Sequence, residues 1–139
     1  MASIEKHVTR NVVGLDSKAA CREAARLMDD KRIGAVAVQE NGKTIGLVTE
    51  RDLATRLIAR GLAADVPIKE AMRRDVPPIS PRATEVECAE LMRVQATRHL
   101  LVEDQGQVVG IISMRDVIQL MLDDKQFLIE QLQTYIDGR

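Results

Sequence analysis

The 139-residue sequence has little of what several protein classes require. It contains two cysteines and two histidines without a Cys-x-x-Cys spacing, which excludes a zinc signature and a secreted disulfide framework. It has no tryptophan, one phenylalanine and one tyrosine, so aromatic platforms for stacking nucleic-acid bases are missing. The formal net charge of −1 argues against a protein that coats nucleic acid or an anionic membrane.

Long apolar runs are also missing. The N-terminal residues lack an apolar core followed by a cleavage site, and no stretch approaches the roughly 18 apolar residues that cross a bilayer. We therefore expect a cytoplasmic protein without a membrane partner. Cys21 and Cys88 are expected to be buried, reduced thiols.

An internal repeat organises the chain. A shift of 64 residues aligns positions 4–58 with 68–122 without a gap, and thirteen of the 55 pairs are identical. Roughly three identities would be expected by chance. Because replacements such as Thr49/Ser113 also preserve residue type, the two copies are expected to share one architecture.

Each copy is predicted to have the order β-α-β-β-α. Apolar residues at helical spacing follow a short β-type piece, and two further β-type runs are joined by Asn41-Gly42 or Gln105-Gly106, which favour tight hairpins. Thr84 and Glu87 form a capping box, and Thr49 and Ser113 are predicted to cap the closing helices. The predicted opening strands and helices are 12–15, 76–79, 18–31 and 82–95, and the predicted apolar faces include Val86, Ile58 and Ile118.

The predicted fold class is α+β, with two repeats and a C-terminal helix. The first repeat covers 4–61, a linker covers 62–67, the second repeat covers 68–122 and a helical tail covers 123–139. Because neither copy hides both faces of a small sheet alone, we expect the copies to pack sheet to sheet about a pseudo-two-fold axis.

The best-marked repeated element runs Gly-Leu-Val-Thr-Glu-Arg-Asp at 46–52 and Gly-Ile-Ile-Ser-Met-Arg-Asp at 110–116. One interpretation is purely structural, since Thr or Ser followed three residues later by Asp is a helix-capping arrangement. The other is a binding site. A helix N-terminus with a hydroxyl suits a phosphate, and a carboxylate can accept hydrogen bonds from both hydroxyls of a ribose.

This spaced duplicate resembles a pair of CBS domains, or Bateman module, over residues 4–122, and the chain resembles a stand-alone CBS-domain protein. The resemblance implies clefts between paired sheets that bind AMP, ADP or ATP, or in some members S-adenosylmethionine or NAD. It also implies that ligand binding is reported to a regulated protein, and that two modules join into a homodimeric four-domain disc.

The resemblance assigns roles by position. Asp52 and Asp116 resemble the ribose-binding aspartates, and Thr49 and Ser113 resemble the hydroxyls near ribose or phosphate. The backbone around Leu15 and Ile79 resembles the adenine-recognition segment, with Ala35 or Leu100 as apolar wall residues.

Arginines supply the phosphate-binding candidates. Arg98 lies where several family members place a phosphate-binding arginine, but its counterpart in the first repeat is Gly34, which puts two equal sites in doubt. Arg51 and Arg115 repeat in a first helical turn, where a cation is not favoured by the dipole, and phosphate contact or simple surface exposure would each explain them.

No enzymatic constellation accompanies these residues. Ser113 lacks a Gly-x-Ser-x-Gly elbow, and the chain has no P-loop, no Rossmann glycine set and no metal-ligand cluster. We expect a nucleotide-sensing module without catalytic or metal residues and without a resident cofactor. The alternative is a ligand-free dimerisation or scaffold module.

The tail shows a helical stripe. Ile118, Leu122, Lys125, Ile129 and Leu132 recur at alternating spacings of four and three, ending with Ile136. Either the helix folds onto its own module or it makes a contact across a dimer.

Overall fold

The structure, a computed structural model, describes residues 3–137 and divides into two compact units. The central unit comprises Arg10–Pro77, and the terminal unit comprises Met1–Thr9 together with Pro78–Arg139. Each unit contains one small sheet with helices, so the predicted α+β class is confirmed.

The central unit is built on a three-stranded sheet. Its strands β1 (Gly14–Asp16), β2 (Ala35–Glu40) and β3 (Lys43–Thr49) lie in the order β1-β2-β3, with a parallel β1-β2 pair and an antiparallel β2-β3 pair. Asn41 and Gly42 have φ values of 53° and 77°, which is the twist that a two-residue hairpin requires. The helices are α1 (Cys21–Lys31), α2 (Glu50–Asp52), its π-helical continuation (Leu53–Ile58) and α3 (Ile68–Ala71).

The terminal unit repeats this plan with a smaller sheet. It contains a 3-10 helix (Ile4–His7), α4 (Glu85–Gln95), β4 (His99–Asp104), β5 (Gln107–Ser113) and α5 (Met114–Asp137). β4 and β5 form an antiparallel hairpin. Isolated bridges extend it on both sides, antiparallel between Thr9 and Ile111 and parallel between Ile79 and Val102.

Apolar residues at helical and strand spacing form a core in each unit. In the central unit α1 contributes Ala24 and Met28, and the hairpin contributes Val36, Val38 and Val48, all buried. The largest fully buried side chains of the terminal unit are Ile4, Met92, Leu100, Ile112, Val102, Val117 and Cys88.

The repeats and the compact units divide the chain differently. The segment that opens the second repeat, with α3, packs in the central unit, where Ile68 N donates to Ala19 O at 2.8 Å. The segment that opens the first repeat packs in the terminal unit, where Ile4 N donates to Ala83 O at 2.8 Å. Each compact unit therefore contains the opening segment of the other repeat.

This exchange of opening segments between the two repeats explains why the repeated motif begins with a glycine, Gly46 or Gly110. A Cβ on Gly110 would lie 2.6 Å from the carbonyl oxygen of Thr9, and a Cβ on Gly46 would lie 3.1 Å from Cγ of Met72. Thr9 and Met72 belong to the exchanged segments, so the glycines are needed for close approach and not for a turn.

Several sequence predictions are wrong in detail. The first strand is Gly14–Asp16 and not 12–15, and the predicted strand 76–79 is reduced to the bridge at Ile79. In α4 the buried positions are Glu85, Cys88 and Met92. The buried face of the helix therefore does not include Val86, which is exposed. Ile58 and Ile118 are likewise exposed, because Leu57 and the pair Val117 and Leu120 face the cores instead.

α5 is a single helix that continues past the second repeat. All of its residues from 125 to 137 are exposed, so the tail does not fold back onto the unit. Among residues 3–137, no helix is both long and apolar enough to cross a membrane.

Candidate functional site

In the central unit, the hydroxyl and carboxylate of the repeated motif bind each other's backbone. Thr49 ends β3, and its Oγ1 accepts from Asp52 N at 3.1 Å. Asp52 Oδ2 accepts in return from Thr49 N at 2.9 Å, which completes a capping box. The predicted capping role of Thr49 is therefore confirmed. Asp52 is nevertheless buried, and its Oδ1 has no hydrogen-bond partner among residues 3–137.

The terminal unit repeats the arrangement with Ser113 and Asp116. Asp116 Oδ2 accepts from Ser113 N and from the Ser113 hydroxyl, each at 2.8 Å, and Ser113 Oγ accepts from Asp116 N at 3.2 Å. Asp116 Oδ1 has no protein partner within the described part of the chain. Each carboxylate thus uses one oxygen to hold the helix start, and its other oxygen has no protein partner within residues 3–137.

A backbone hydrogen bond brings a third position to each cap. Gly34 O accepts from Glu50 N at 3.0 Å in the central unit, and Arg98 O accepts from Met114 N at 2.7 Å in the terminal unit. Because Glu50 and Met114 are the first residues of their helices, residues 34 and 98 lie directly beside the helix N-termini. Only the terminal unit has a cationic side chain at that position.

Three candidate arginines are exposed, and their guanidinium groups make no contact with a protein acceptor in the described range. The guanidinium groups of Arg51, Arg98 and Arg115 have no hydrogen-bond or ion-pair partner in the described range 3–137. Arg98 and Arg115 flank the Ser113–Asp116 cap. At the Thr49–Asp52 cap, Arg51 matches Arg115 and Gly34 matches Arg98, while Arg32 shares a pocket with Glu50 and Leu53. The arginines are therefore arranged differently at the two caps.

The proposed adenine-recognition positions lie at the edges of the sheets. Leu15 pairs with Val38 in the parallel ladder of β1 and β2. Ile79 N donates to Leu101 O at 2.9 Å, and Ile79 O accepts from Glu103 N at 2.9 Å. Both backbone groups of Ile79 are thus occupied by hydrogen bonds to β4.

The two proposed wall residues lie on opposite faces of their hairpins. Ala35 pairs with Thr49 at the start of β2, so it shares the face of the capping hydroxyl. Leu100 pairs with Ile112, is fully buried and belongs to the core face. The structure therefore removes Leu100 from the candidate wall. The residue matching Ala35 in the second repeat is His99, which pairs with Ser113.

Sequence reasoning missed a group of acidic residues in the terminal unit. Glu85 is 8% exposed at the start of α4, and burial, followed by a hydrogen bond with Asp124 and the charge of Asp124, raises its pKa. His7 Nε2 lies 3.5 Å from Asp123 Oδ2. The repeat alignment contains a signal for this group, because it matches Glu85 with Cys21, a position expected to be buried.

A polar network in the central unit was also missed. The buried Ser17 donates its hydroxyl to Glu40 Oε2 at 2.8 Å, and Lys69 Nζ contacts the same oxygen at 2.8 Å. The hydrogen bonds from Lys69 and then from Ser17 lower the pKa of the Glu40 carboxyl. The network fixes the end of β1 to the exchanged helix α3.

The cysteines behave as predicted, since both are buried and free. Burial, followed by the negative charge of Asp116, raises the pKa of the Cys88 thiol to about 11. Among the described residues 3–137, no group of three or more His, Cys, Asp or Glu side chains could hold a metal ion.

Known proteins resemble this chain in both sequence and fold. The chain is 31% identical over 117 residues to the CBS domain-containing protein YhcV of Bacillus subtilis, covering 84% of each chain. It is 31% identical to the CBS-domain containing protein ATU1752 of Agrobacterium tumefaciens, with a TM-score of 0.77 over 86% of this chain and 93% of that one. A hexameric CBS-CP12 protein from bloom-forming cyanobacteria shares the fold at 24% identity, with a TM-score of 0.74 over 85% of this chain and 71% of that one.

The family comparison agrees with the internal repeat. Residues 3–59 and 68–123 each match the CBS domain, and these two ranges correspond to the two copies found by self-alignment. The chain belongs to the CBS domain family and consists of a tandem pair of CBS domains.

Proposed function

We propose that this CBS pair is a regulatory sensor of adenine nucleotides that signals to a partner protein. Tandem CBS domains are generally regulatory ligand-binding modules, and this chain is the module without an attached enzyme domain in residues 3–137. The proposal specifies the ligand as AMP, ADP or ATP, because carboxylate, hydroxyl and arginine together match ribose and phosphate and because the CBS resemblance implies adenine as the base.

The observation that carries the proposal is the 2.7 Å hydrogen bond from Met114 N to Arg98 O. It joins Arg98 to the helix start at which Asp116 Oδ1 lacks a protein partner within residues 3–137. The carboxylate would accept from a ribose hydroxyl, while Arg98 and Arg115 would bind phosphate oxygens. Since Gly34 replaces Arg98 in the central unit, we expect the Ser113–Asp116 site to bind more tightly than the Thr49–Asp52 site.

Isothermal titration of the full chain with AMP, ADP, ATP, S-adenosylmethionine and NAD tests the proposal. Asp116→Asn is the sharpest variant, because the amide oxygen can still accept from Ser113 N while the ligand-facing acceptor is lost. Removing a hydrogen bond to a charged group costs about 1.5–3 kcal/mol, which corresponds to a loss of roughly 10- to 150-fold in affinity. Asp52→Asn is the matched variant and is expected to have the smaller effect.

Arginine variants separate specific phosphate binding from general positive charge. Arg98→Ala should weaken the binding of ATP more than the binding of adenosine, because adenosine lacks phosphate. Arg93→Ala is the control, since Arg93 is exposed in the same unit but is paired with Glu90 at 2.6 Å. Equal losses from Arg98→Ala and Arg93→Ala, or no nucleotide binding below millimolar concentration, would overturn the proposal.

An absorbance spectrum gives an earlier indication. With no tryptophan and one tyrosine, the protein absorbs weakly at 280 nm, so a co-purified nucleotide would shift its absorbance toward 260 nm.

The second candidate function is a ligand-free scaffold or dimerisation module. The completed caps favour it, because Asp52 and Asp116 each have a structural role without any ligand. The titrations decide between the two functions. Selective binding of S-adenosylmethionine or NAD would keep the sensor function but change its ligand.

We further propose that two chains associate through their CBS helices into a four-domain disc. Each unit exposes apolar residues on its helices, including Ile58 in the central unit and Val86 and Val94 in the terminal unit. The hexameric CBS-CP12 protein is an oligomer that shares this fold. Replacing Ile58 and Val94 with Glu should then weaken the disc contact in sedimentation measurements.

A further inference from the structure

The projecting part of α5 is a helix with an exposed apolar face. Every residue from 125 to 137 is exposed, although the segment is helical throughout. An isolated helix of about this length is only marginally stable in water, so a packing partner would stabilise it substantially.

The exposed apolar residues are concentrated on one face of this helix. Leu122, Ile129, Leu132 and Ile136 are between 45% and 66% exposed. With Lys125 they occupy successive a and d positions of a heptad, and Leu128 and Tyr135 widen the face at the g positions. Phe127 is the exposed apolar residue at an f position, on the opposite face. Such a continuous patch differs from singly scattered surface apolar residues.

We propose that this face binds the same face of α5 in a second copy of the chain, with the two helices antiparallel. The proposal is independent of nucleotide binding and uses a different surface from the disc contact through the CBS helices.

Lys125 determines the direction of pairing. In a parallel pair, both Lys125 side chains would occupy the same d layer of the apolar seam, where like charges repel. In an antiparallel pair with a positions opposite d positions, Lys125 lies opposite Ile136 of the partner subunit. The two lysines are then separated by 11 residues along the axis, or about 16 Å.

The antiparallel arrangement also gives each lysine a complementary charge. Asp137 directly follows Ile136 and carries a carboxylate. The flexible Lys125 side chain can therefore direct its ammonium group toward Asp137 of the partner subunit while its methylene groups cover Ile136 of the partner subunit.

The same register uses the whole projecting segment. Ile129 lies opposite Leu132 of the partner subunit, Leu132 lies opposite the partner's Ile129, and residue 124 lies opposite residue 137. The overlap therefore covers residues 124–137, which include the continuously exposed stretch 125–137, and Leu122 lies just beyond it.

Analytical ultracentrifugation of the full chain tests the pairing. The double variant Ile129→Glu, Leu132→Glu places four charges in the seam of the pair and should weaken the α5 association step roughly 100-fold, leaving any association through the disc contact in place. Because both residues are exposed, the melting temperature of the monomer should change little. Phe127→Glu is the matched control, since it places the same charge on the opposite face, and it should leave self-association unchanged.

Two outcomes would overturn the pairing. One is a wild-type chain that stays monomeric at all concentrations tested. The other is a dimer that dissociates no more readily in the double variant than in Phe127→Glu, which would indicate association through another surface such as the disc contact. Both readouts are made without nucleotide, so failure of the nucleotide proposal does not affect them.

Spin labels determine the direction. A label at Gln119→Cys is exposed, whereas the native Cys21 and Cys88 are buried. In the antiparallel register the two labels are 23 residues apart along the axis, roughly 35 Å. A parallel pair would place them at the same height, separated mainly by the interaxial distance of about 8–10 Å and the label arms. A short distance would overturn the antiparallel assignment.

Discussion

At the scale of single residues, one side chain can have both a structural and a binding role. The carboxylate of Asp116 holds its helix start through Oδ2 and leaves Oδ1 without a protein partner in the described range 3–137. The capping and binding interpretations of the motif are therefore compatible. For this reason Asp→Ala would remove a cap worth about 1 kcal/mol, whereas Asp→Asn separates binding from stability more cleanly.

The Cys88 thiol is expected to be unreactive in the folded protein. Its side chain is fully buried, and burial raises the pKa of the thiol to about 11, so very little thiolate is present at pH 8. Ellman's reagent should label no thiol rapidly in the native protein but both thiols in guanidinium chloride. Rapid labelling of native Cys88 would contradict its burial. Asp116→Asn should lower the thiol pKa, because the nearby negative charge is removed.

Glu85 is expected to make stability depend on pH. Because its pKa is raised above the ordinary 4.5, the folded state favours the neutral acid. The contribution of the neutral Glu85 carboxyl to the free energy of unfolding is fully present below about pH 4.5. It is lost as the pH rises through the folded-state pKa of Glu85. Glu85→Gln should therefore raise the melting temperature by about 2–5 °C at pH 7 and have little effect at pH 4.

The control for Glu85 lies on the same helix. Glu90 is exposed, and its hydrogen bond to Arg93 lowers the pKa of its carboxyl. Glu90→Gln should not raise the melting temperature at pH 7. An equal gain from both variants would mean that general charge reduction, and not burial of Glu85, is responsible.

At the scale of elements, each repeated motif joins a hairpin strand to an exchanged segment. Gly110 in β5 faces the backbone of Thr9, which bonds to Ile111 in both directions at 2.9 and 3.0 Å. Gly46 in β3 faces the side chain of Met72. A backbone cannot move aside as a methionine can, so the two equivalent glycines should differ in their tolerance of substitution.

Gly110→Ala is expected to cost about 1–3 kcal/mol of unfolding free energy, as overpacking does. Gly46→Ala should cost less, because the Met72 side chain can adopt another rotamer. Urea denaturation of both variants provides the comparison. Equal costs would show that the Thr9 segment is free to shift away from β5.

At the scale of the whole molecule, the folding unit is not the sequence repeat. The central unit needs α3, which supplies the buried Ile68 and Ala71 and the Lys69 contact to Glu40. α3 begins the second repeat, so cutting the chain at the repeat boundary removes part of a core.

Two fragments are expected to differ accordingly. Residues 10–77 contain a complete compact unit and should show a cooperative thermal transition by circular dichroism. Residues 1–61 contain a complete repeat but lack α3, and they should be largely unfolded. Chains of 60 to 70 residues are marginal, so the comparison depends on the difference between the fragments. A more stable 1–61 fragment would contradict the exchange.

The sequence by itself determined the features that depend on neighbouring residues. The hairpin turn at Asn41-Gly42, the caps at Thr49 and Thr84 and the duplication are visible in it because turns and caps involve residues at most four apart. The capped Ser113–Asp116 pair was predictable for the same reason.

Only the tertiary structure decided which residues face a core and which segment completes each unit. The outward phase of Val86, the core position of Leu100 and the occupied backbone of Ile79 follow from packing against distant segments. The exchange itself depends on contacts such as that between Ile4 and Ala83, which are far apart in the chain. Such contacts leave no local pattern in the sequence, because their stabilisation arises when separate segments exclude water from a shared core.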